Sequence, residues 1–303
     1  MTTQALQMAV NMPQPRQVKV PFSVRLHRFW CGGYMFPTLL MNGFTIYIPI
    51  IERFMIARVR AAANEVTDPD LKKRVDAFLL QEAIHAREHE QSRQFLHATE
   101  FRSQGIYKGV EFFIDRIMTP MANLGNRVFG RHFSLATVAG AEHWTAATAE
   151  INLSYKILWE LEGSPMLWLF AWHGAEEIEH KDVVFDMIQH LKVGYLLRMI
   201  SFLSATLAFG LLNLVVTTCL IFQLKWKEAL HPQLWVGGLY YLFIGAKVVP
   251  KGLVAMFDYM RPSFHPNDRD DRELMEMGFA IARKGMADGM VMEPFVRSEA
   301  KAA

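Results

Sequence analysis

Cysteine is scarce in this sequence: Cys31 and Cys219 are the only two, both in apolar surroundings and without CxxC spacing. This excludes a disulfide framework and a thiolate metal site, and it fits a reducing compartment. The 32 basic and 30 acidic residues nearly cancel, so the charge gives no reason to expect a nucleic-acid partner. The first twenty residues contain Pro13 and Pro15 but no apolar segment typical of a secretory signal, so we expect a cytoplasmic protein.

Strand-like alternation of apolar and polar residues is also nearly absent, and Pro and Gly cluster between periodic segments. The pattern therefore predicts an all-α fold. Four long helices are expected, over residues 35–63, 67–104, 133–161 and 165–192. A glycine-rich crossover connection over residues 105–132 separates the two pairs. Two long helices, a long crossover and two further helices are the plan of a ferritin-like four-helix bundle.

Composition divides the chain into four parts. We expect a flexible N-terminal arm over 1–22, the bundle over 23–193, an apolar helical hairpin over 194–260, and a polar C-terminal tail with a short helix over 261–303. The 26 residues from Met199 to Leu224 carry no charge, and a bilayer crossing needs only ~20 residues. Two interpretations stay open: the hairpin associates with or is anchored in the inner membrane, or it packs on the bundle or in a homodimer interface.

The stretch 172–180 concentrates two imidazoles and three carboxylates within two helical turns. His173, Glu177 and His180 fall on one helix face, and their apolar flanks predict that this face is buried. Glu82 and His85, in the second helix, repeat the Glu-x-x-His spacing of Glu177 and His180. Two such helices facing each other can bring both pairs around two metal ions, which would compensate the buried carboxylates.

The other two bundle helices should each supply one carboxylate. Glu52 follows a long apolar run, although Arg53 could instead be its ion-pair partner on an exposed face. Glu142 follows small residues that leave room for metals or substrate, and Glu150 is its competitor, with a solvated position as the alternative. His143 lies about 100° from Glu142 around the helix and should face away.

Three residues near these positions leave alternatives open. His89 shares a helix face with the second-helix histidine but sits in a polar stretch, so we expect it to be solvated. Glu176 is spaced to replace Glu177, yet the matching Glu-x-x-His of the second helix favours Glu177. His173 could alternatively be a core histidine bonded to a carbonyl group.

A ligand set rich in carboxylates and free of thiolates suits iron or manganese better than structural zinc. Two neighbouring metal ions can activate dioxygen, or they can generate a metal-bound hydroxide for hydrolysis. The ligands alone do not decide between these reactions, although the additional histidine favours oxygen chemistry.

At these residues the sequence resembles the ferritin-like di-iron carboxylate proteins, whose pattern is Glu, Glu-x-x-His, Glu, Glu-x-x-His over four helices. The residues that match it in order are Glu52, Glu82 with His85, Glu142, and Glu177 with His180. The preceding His173 looks like the additional iron ligand of the p-aminobenzoate N-oxygenase branch. The resemblance implies two iron ions, with manganese or zinc as alternatives, and bridging roles for Glu82 and Glu142.

The whole chain is also similar to a bacterial group labelled predicted metal-dependent hydrolases. Our leading interpretation is a di-iron oxygenase or oxidase that oxidises a hydrophobic small molecule. It would need an external electron donor, because the sequence carries no flavin or iron–sulfur motif. The alternatives are a di-metal hydrolase and a non-catalytic, membrane-attached metal-binding protein.

Overall fold

The computed structural model describes residues 12–22, 27–96, 100–155 and 164–295. Regular structure in this part of the chain is almost entirely helical, which confirms the all-α prediction. The helices up to residue 190 are α1 (Met35–Ala62), α2 (Pro69–Leu96), α3 (Ser103–Phe113), α4 (Thr119–Val128), α5 (Phe133–Leu153), α6 (Pro165–His180) and α7 (Val183–His190). The later helices are α8 (Tyr195–Ile221), α9 (Trp226–Ala229), α10 (Pro232–Tyr240), α11 (Val248–Tyr259) and α12 (Arg272–Lys284).

Four of these helices, α1, α2, α5 and α6, pack side by side around one interior. Local chemistry explains where α2 begins: the Asp68 carboxylate accepts hydrogen bonds from the backbone N–H groups of Asp70 and Leu71, at 2.9 and 2.8 Å. The ring of Pro69 fixes the φ angle at the value that a first helical residue needs. Helix α6 likewise begins at a proline, Pro165. The crossover between the pairs contains α3 and α4, joined by a π-helical segment, Ile114–Met118.

Helix α6 is buried almost all round, because α12 covers its outer side. The two backbones approach closely at Gly278, where an added Cβ would lie 2.8 Å from the carbonyl oxygen of Ala171. A side chain at this position would force the helices apart. Packing on both sides therefore places the polar residues of α6 in the protein interior.

The helix ends differ from the predicted ones in three places. Helix α2 ends at Leu96, and Gln104 lies in α3 instead. Helix α5 ends at Leu153, and the predicted end at residue 161 lies outside the described residues. The fourth predicted helix is broken at Lys181 and Asp182, so its last part forms the separate helix α7.

The two ends of the described chain form a small antiparallel ribbon. Strand β1 (Arg16–Lys19) pairs with β2 (Val291–Pro294), with Gln17 opposite Glu293. Val18 is fully buried, and it belongs to an apolar cluster formed with residues of α2, α6 and α12. Residues 16–19 of the expected flexible arm over 1–22 are thus a strand, and residues 291–294 of the expected polar tail are its partner. The sequence did not predict them, because alternation over four residues is too short to distinguish from a loop.

The long apolar helix α8 packs on α1 and α5, and the α10–α11 segment follows it. Two helical stretches, Met35–Glu65 and Tyr195–Ile221, are long and apolar enough to cross a membrane. A third appears if the bent pair Trp226–Gly245 and Val248–Tyr259 counts as one span. The first of these is largely covered by protein, whereas α8 leaves most of its surface uncovered.

Candidate metal centre

Two groups of buried side chains meet in the interior between α1, α2, α5 and α6. One group consists of Glu52, His85 and His173, and the other of Glu82, Glu177 and His180. Within each group, one nitrogen or oxygen atom from every side chain lies within 4.8 Å of the others. These are distances at which a single ion could be bound by all three side chains after small adjustments.

The two groups adjoin each other. The Glu82 Oε1 atom lies 3.3 Å from His85 Nδ1 and 3.3 Å from His180 Nε2, so this carboxylate faces both groups. The Glu177 Oε1 atom also lies between them, 2.7 Å from His173 Nε2 and 3.7 Å from His180 Nε2.

The carboxylates supplied by α1 and α5 each adjoin a different group. Glu52 Oε1 is 3.5 Å from His173 Nε2 and 3.9 Å from His85 Nδ1, whereas Glu142 Oε2 is 3.5 Å from His180 Nε2. The structure therefore brings together all seven side chains singled out from the sequence. It places Glu177 rather than Glu142 beside Glu82 in the position between the groups.

Each of the three imidazoles has one nitrogen facing this interior and the other bonded to an outer partner. His85 Nε2 lies 3.0 Å from Glu176 Oε2, and His180 Nδ1 lies 3.1 Å from Gln81 Oε1. His173 Nδ1 lies 2.5 Å from His89 Nε2. Metal-binding histidines show this arrangement, because the outer bond sets the tautomer and the orientation of the ring.

A positively charged side chain supports two of these outer partners, one directly and the other through Glu179. The Arg16 guanidinium of β1 donates to Glu176 Oε1 at 2.8 Å and to Glu179 Oε1 at 2.9 Å. Gln81 in turn donates to Glu179 Oε2 at 2.7 Å. Through this network, which we call the Arg16 network, a strand from the N-terminal end of the chain orients His85 and His180.

The carboxylates of the centre are poorly compensated by the protein alone. Both oxygens of Glu52, Glu82 and Glu142 are buried and make no hydrogen bond among the described residues. Burial and the neighbouring Glu82 raise the pKa of Glu52 well above its usual range, and burial raises the pKa of Glu142 to about 8. Together with Glu177 these are four carboxylates, and their charge would balance that of two divalent cations. The oxygen and imidazole donors fit such a pair of cations.

Of two neighbouring residues weighed against the ligands, His89 departs from the expectation and Glu176 agrees with it. His89, expected to be solvated, is fully buried against His173, because the helix face that it shares with His85 turns inward despite its polar neighbours in sequence. Glu176 does not replace Glu177, since its carboxylate contacts His85 from the outside of the centre.

The remaining alternatives lie away from the centre. His143 faces away as expected, with Nε2 2.8 Å from the carbonyl oxygen of Ala255. Glu150 is neither a ligand nor solvated, because it forms an ion pair with Arg269 at 3.0 Å. Arg53 is 2.6 Å from the Tyr107 hydroxyl, so it is bound elsewhere and leaves Glu52 to the interior.

An apolar cavity of about 110 Å³ lies beside the centre on the side of α1 and α5. Its walls include the acidic and imidazole groups of Glu52, Glu82, His173 and Glu177. The rest of its lining is mostly aromatic and aliphatic, contributed by α1, α5 and α8. A molecule in this cavity would touch the centre from its apolar side.

Comparison with known proteins gives one finding. A family model described as predicted metal-dependent hydrolase matches residues 14–270, which include every residue of the centre. Searches of curated proteins and of solved structures give no match. The match confirms the similarity to that hydrolase group, while the resemblance to ferritin-like di-iron proteins stays a prediction.

Proposed function

The chain belongs to the predicted metal-dependent hydrolase family, and we propose that it is a two-metal hydrolase that cleaves a hydrophobic ester. One observation carries the metal centre: three buried imidazoles each direct one nitrogen toward four buried carboxylates and bond the other nitrogen outward. The metal ions are divalent cations such as manganese, zinc or ferrous iron.

In this proposal Glu52, His85 and His173 hold one ion, and Glu142 and His180 hold the other. Glu82 and Glu177 face both groups and are shared between them. Two divalent cations bound there would polarise the carbonyl oxygen of an ester and lower the pKa of a water molecule toward neutrality.

The protein's own groups set the geometry for this chemistry. Glu176 and Gln81 fix the rings of His85 and His180, and His89 accepts the hydrogen of His173 Nδ1 so that Nε2 is free to bind a cation. The apolar walls of the 110 Å³ cavity bind the substrate's hydrocarbon part and limit the entry of bulk water. Water adds to the acyl carbon, the ester C–O bond breaks, and the alcohol leaves with a proton.

The test is hydrolysis of p-nitrophenyl butyrate by protein reconstituted separately with Mn²⁺, Zn²⁺ or Fe²⁺. Turnover should be equal in air and under nitrogen, and oxygen from isotopically labelled water should appear in the acid product. Glu52→Gln should lower turnover by about a hundredfold or more, whereas Glu150→Gln, which changes a partly buried acid outside the centre, should retain it. Absence of hydrolysis with all three metals would overturn the proposal.

A second candidate, a di-iron oxygenase or oxidase, is favoured by the third imidazole, His173, and by the apolar cavity that adjoins it. Imidazole-rich iron sites and water-poor surroundings suit oxygen chemistry. This enzyme would consume dioxygen only when loaded with iron and supplied with an external electron donor. Oxygen uptake by the Fe²⁺ form with a chemical reductant, and none by the Zn²⁺ form, would favour it over the hydrolase.

A further inference from the structure

An exposed apolar surface covers the side of the protein formed by α8, α10 and α11. On α8 a stripe of leucines faces outward, and Leu207 is 74% exposed. Aromatic and aliphatic side chains of the α10–α11 segment continue it. We call this surface the apolar face, and its representative residues are Leu203, Leu207, Leu211, Trp235, Leu239 and Phe257. Soluble proteins rarely leave an apolar surface of this extent uncovered, unless it binds a partner or a membrane.

A second, larger cavity opens within the apolar face. It measures about 1040 Å³ and lies between α8 and the α10–α11 segment, above α1 and α5. Its lining contains no charged residue. The side chains at its mouth are themselves exposed and apolar, among them Leu214, Phe222 and Trp235. An opening of this composition suits an uncharged hydrocarbon chain.

The larger cavity adjoins the small one at the metal centre. Phe44, Thr148, Asn152 and Phe209 line both of them. A chain that fills the larger cavity therefore needs to pass only this shared wall to bring its end beside Glu52 and His173. The route begins at the apolar face and ends at the groups proposed to bind the metals.

The position of α8 indicates how the apolar face would meet a bilayer. Contacts between α8 and the bundle extend from Ser201, beside Phe133, to Val216, beside Gly43. Because α8 lies along the bundle, a bilayer crossed by α8 would also enclose α1 and its neighbour α2. The exposed Arg87 of α2, two residues from His85 at the level of the centre, would then enter the hydrocarbon, at a cost of roughly 3 kcal/mol or more.

Resting flat on the surface avoids this cost. The α8–α10 connection carries Trp226, which is 70% exposed, between the exposed Lys225 and Lys227. Indole rings and lysines side by side are typical of the zone between lipid headgroups and hydrocarbon. An apolar plane edged by such residues is complementary to one leaflet of a bilayer.

We propose that the apolar face rests on one leaflet of a lipid bilayer, and that the substrate is a membrane lipid whose uncharged acyl chain enters the larger cavity from that leaflet. The ester of this lipid reaches the centre between Glu52 and His173, where water adds to the acyl carbon and the C–O bond to the alcohol breaks. This inference rests on the proposed hydrolase function for its reaction, but its surface and its cavity can be tested without turnover.

The surface is tested by flotation with vesicles of neutral phosphatidylcholine, which remove any contribution from lipid charge. The wild-type protein should float with the vesicles, and the triple variant Leu203→Glu/Leu207→Glu/Leu211→Glu should stay behind. None of these three residues lines either cavity. The control Lys72→Gln/Lys73→Gln/Lys284→Gln, with the same change in net charge at exposed positions of α2 and α12, should float. A wild-type protein that does not float and sediments as a dimer would overturn the proposal in favour of self-association.

The cavity is tested with Thr148→Trp, which fills the shared wall, and with Gly210→Trp. Gly210 lines the larger cavity, and an added Cβ there meets no heavy atom within 4 Å, so this variant should fold. Both should lose binding of cis-parinaric acid, a fluorescent fatty acid, while metal content stays unchanged. The control Leu207→Trp introduces the same side chain outside both cavities and should bind the probe. Probe binding unaffected by both cavity variants would overturn the assigned route.

Activity separates failure of this inference from failure of the proposed function. Wild-type protein should hydrolyse p-nitrophenyl palmitate in vesicles with a lower KM than p-nitrophenyl butyrate. Gly210→Trp, which alters only the larger cavity, should raise the palmitate KM about tenfold and leave that for butyrate unchanged. Hydrolysis of butyrate alone, without flotation or probe binding, would refute only the lipid inference. Flotation and probe binding without hydrolysis of either ester would refute the hydrolase and retain the lipid site.

Discussion

The two sides of the metal centre are built differently. On the side of α2 and α6, all three imidazoles are bonded to outer partners, and two of these partners join the Arg16 network. On the side of α1 and α5, the carboxylates of Glu52 and Glu142, like that of Glu82 on α2, make no hydrogen bond among the described residues, and Glu52 lines the small apolar cavity. The α2–α6 side thus holds its imidazoles in place by hydrogen bonds, whereas the α1–α5 side contributes only carboxylates that no hydrogen bond supports.

This difference assigns separate tasks to the two sides. Hydrogen bonds behind a ligand hold it in place, so the α2–α6 side sets where a metal ion can bind. Carboxylates without such bonds depend on the cations themselves for compensation. Their apolar surroundings leave the α1–α5 side as the side from which a hydrophobic substrate can approach. The predictions below test this division, beginning with the largest expected effect.

Removal of an imidazole from the fixed side should remove a metal ion outright. We expect His180→Ala to bind about one divalent ion per chain where the wild type binds about two, because His180 is the only imidazole close to Glu142 among the described residues. Metal content after dialysis, measured by mass spectrometry, checks this. His190→Ala, a histidine beside Thr67 and outside the centre, should keep the full content. Full occupancy in His180→Ala would contradict the assigned ligands.

Removal of both ions should destabilise the fold, because it leaves four buried carboxylates facing one another. At a free metal concentration a thousandfold above Kd, each ion stabilises the native state by about 4 kcal/mol, so a chelator should lower the melting temperature strongly. The double variant Glu52→Gln/Glu142→Gln removes two of the three carboxylate charges that lack hydrogen bonds and should lose much less stability on chelation. Equal losses in the two proteins would show that these carboxylates do not carry the effect.

Much of this arrangement could be read from residue spacing. Glu82 with His85 and Glu177 with His180 share helix faces, so a local pattern was enough to predict that they meet. The all-α fold could also be predicted, because apolar residues recur at helical spacing over long segments. Glu52 and Glu142 were identifiable because an acid beside an apolar or small-residue run needs compensation.

Long-range contacts could not be predicted in this way. Arg16 lies in a segment expected to be flexible, and nothing local connects it to Glu176 and Glu179. The position of Glu177 between the two groups depends on how α6 is rotated against α2, which no spacing within α6 reveals. His89 carried a usable signal, four residues after His85 on one face, but its polar neighbours obscured the direction of that face.

The outward side of α5 should make the stability of the fold depend on pH, independently of the metal centre. Burial lowers the pKa of His143 to about 4, so the native state keeps this imidazole neutral, while the unfolded chain binds a proton below about 6.5. Stability is therefore lost as pH falls from about 6.5 to about 4, by about 3 kcal/mol at most from this residue.

Denaturant unfolding across this pH range, in chelator so that metal release does not contribute, measures the effect. His143→Phe should flatten the slope of the unfolding free energy against pH relative to wild type. Tyr259→Phe changes the same aromatic cluster without removing the imidazole and should keep the wild-type slope. A slope that persists in His143→Phe would place the titrating group elsewhere.

The smallest effect should come from Arg16, because it contacts only the partners of the ligands. Arg16→Ala removes its bonds to Glu176 and Glu179, so His85 and His180 remain present but less firmly oriented. Loss of such support typically lowers metal affinity by about 10–100-fold, which metal titration would measure at unchanged stoichiometry. Arg272→Ala removes an exposed ion pair with Asp270 and should leave affinity unchanged. If Arg16→Ala also binds metal as wild type does, the rigidity of the α2–α6 side must come from packing alone, and the hydrogen bonds behind its imidazoles would only follow from that packing.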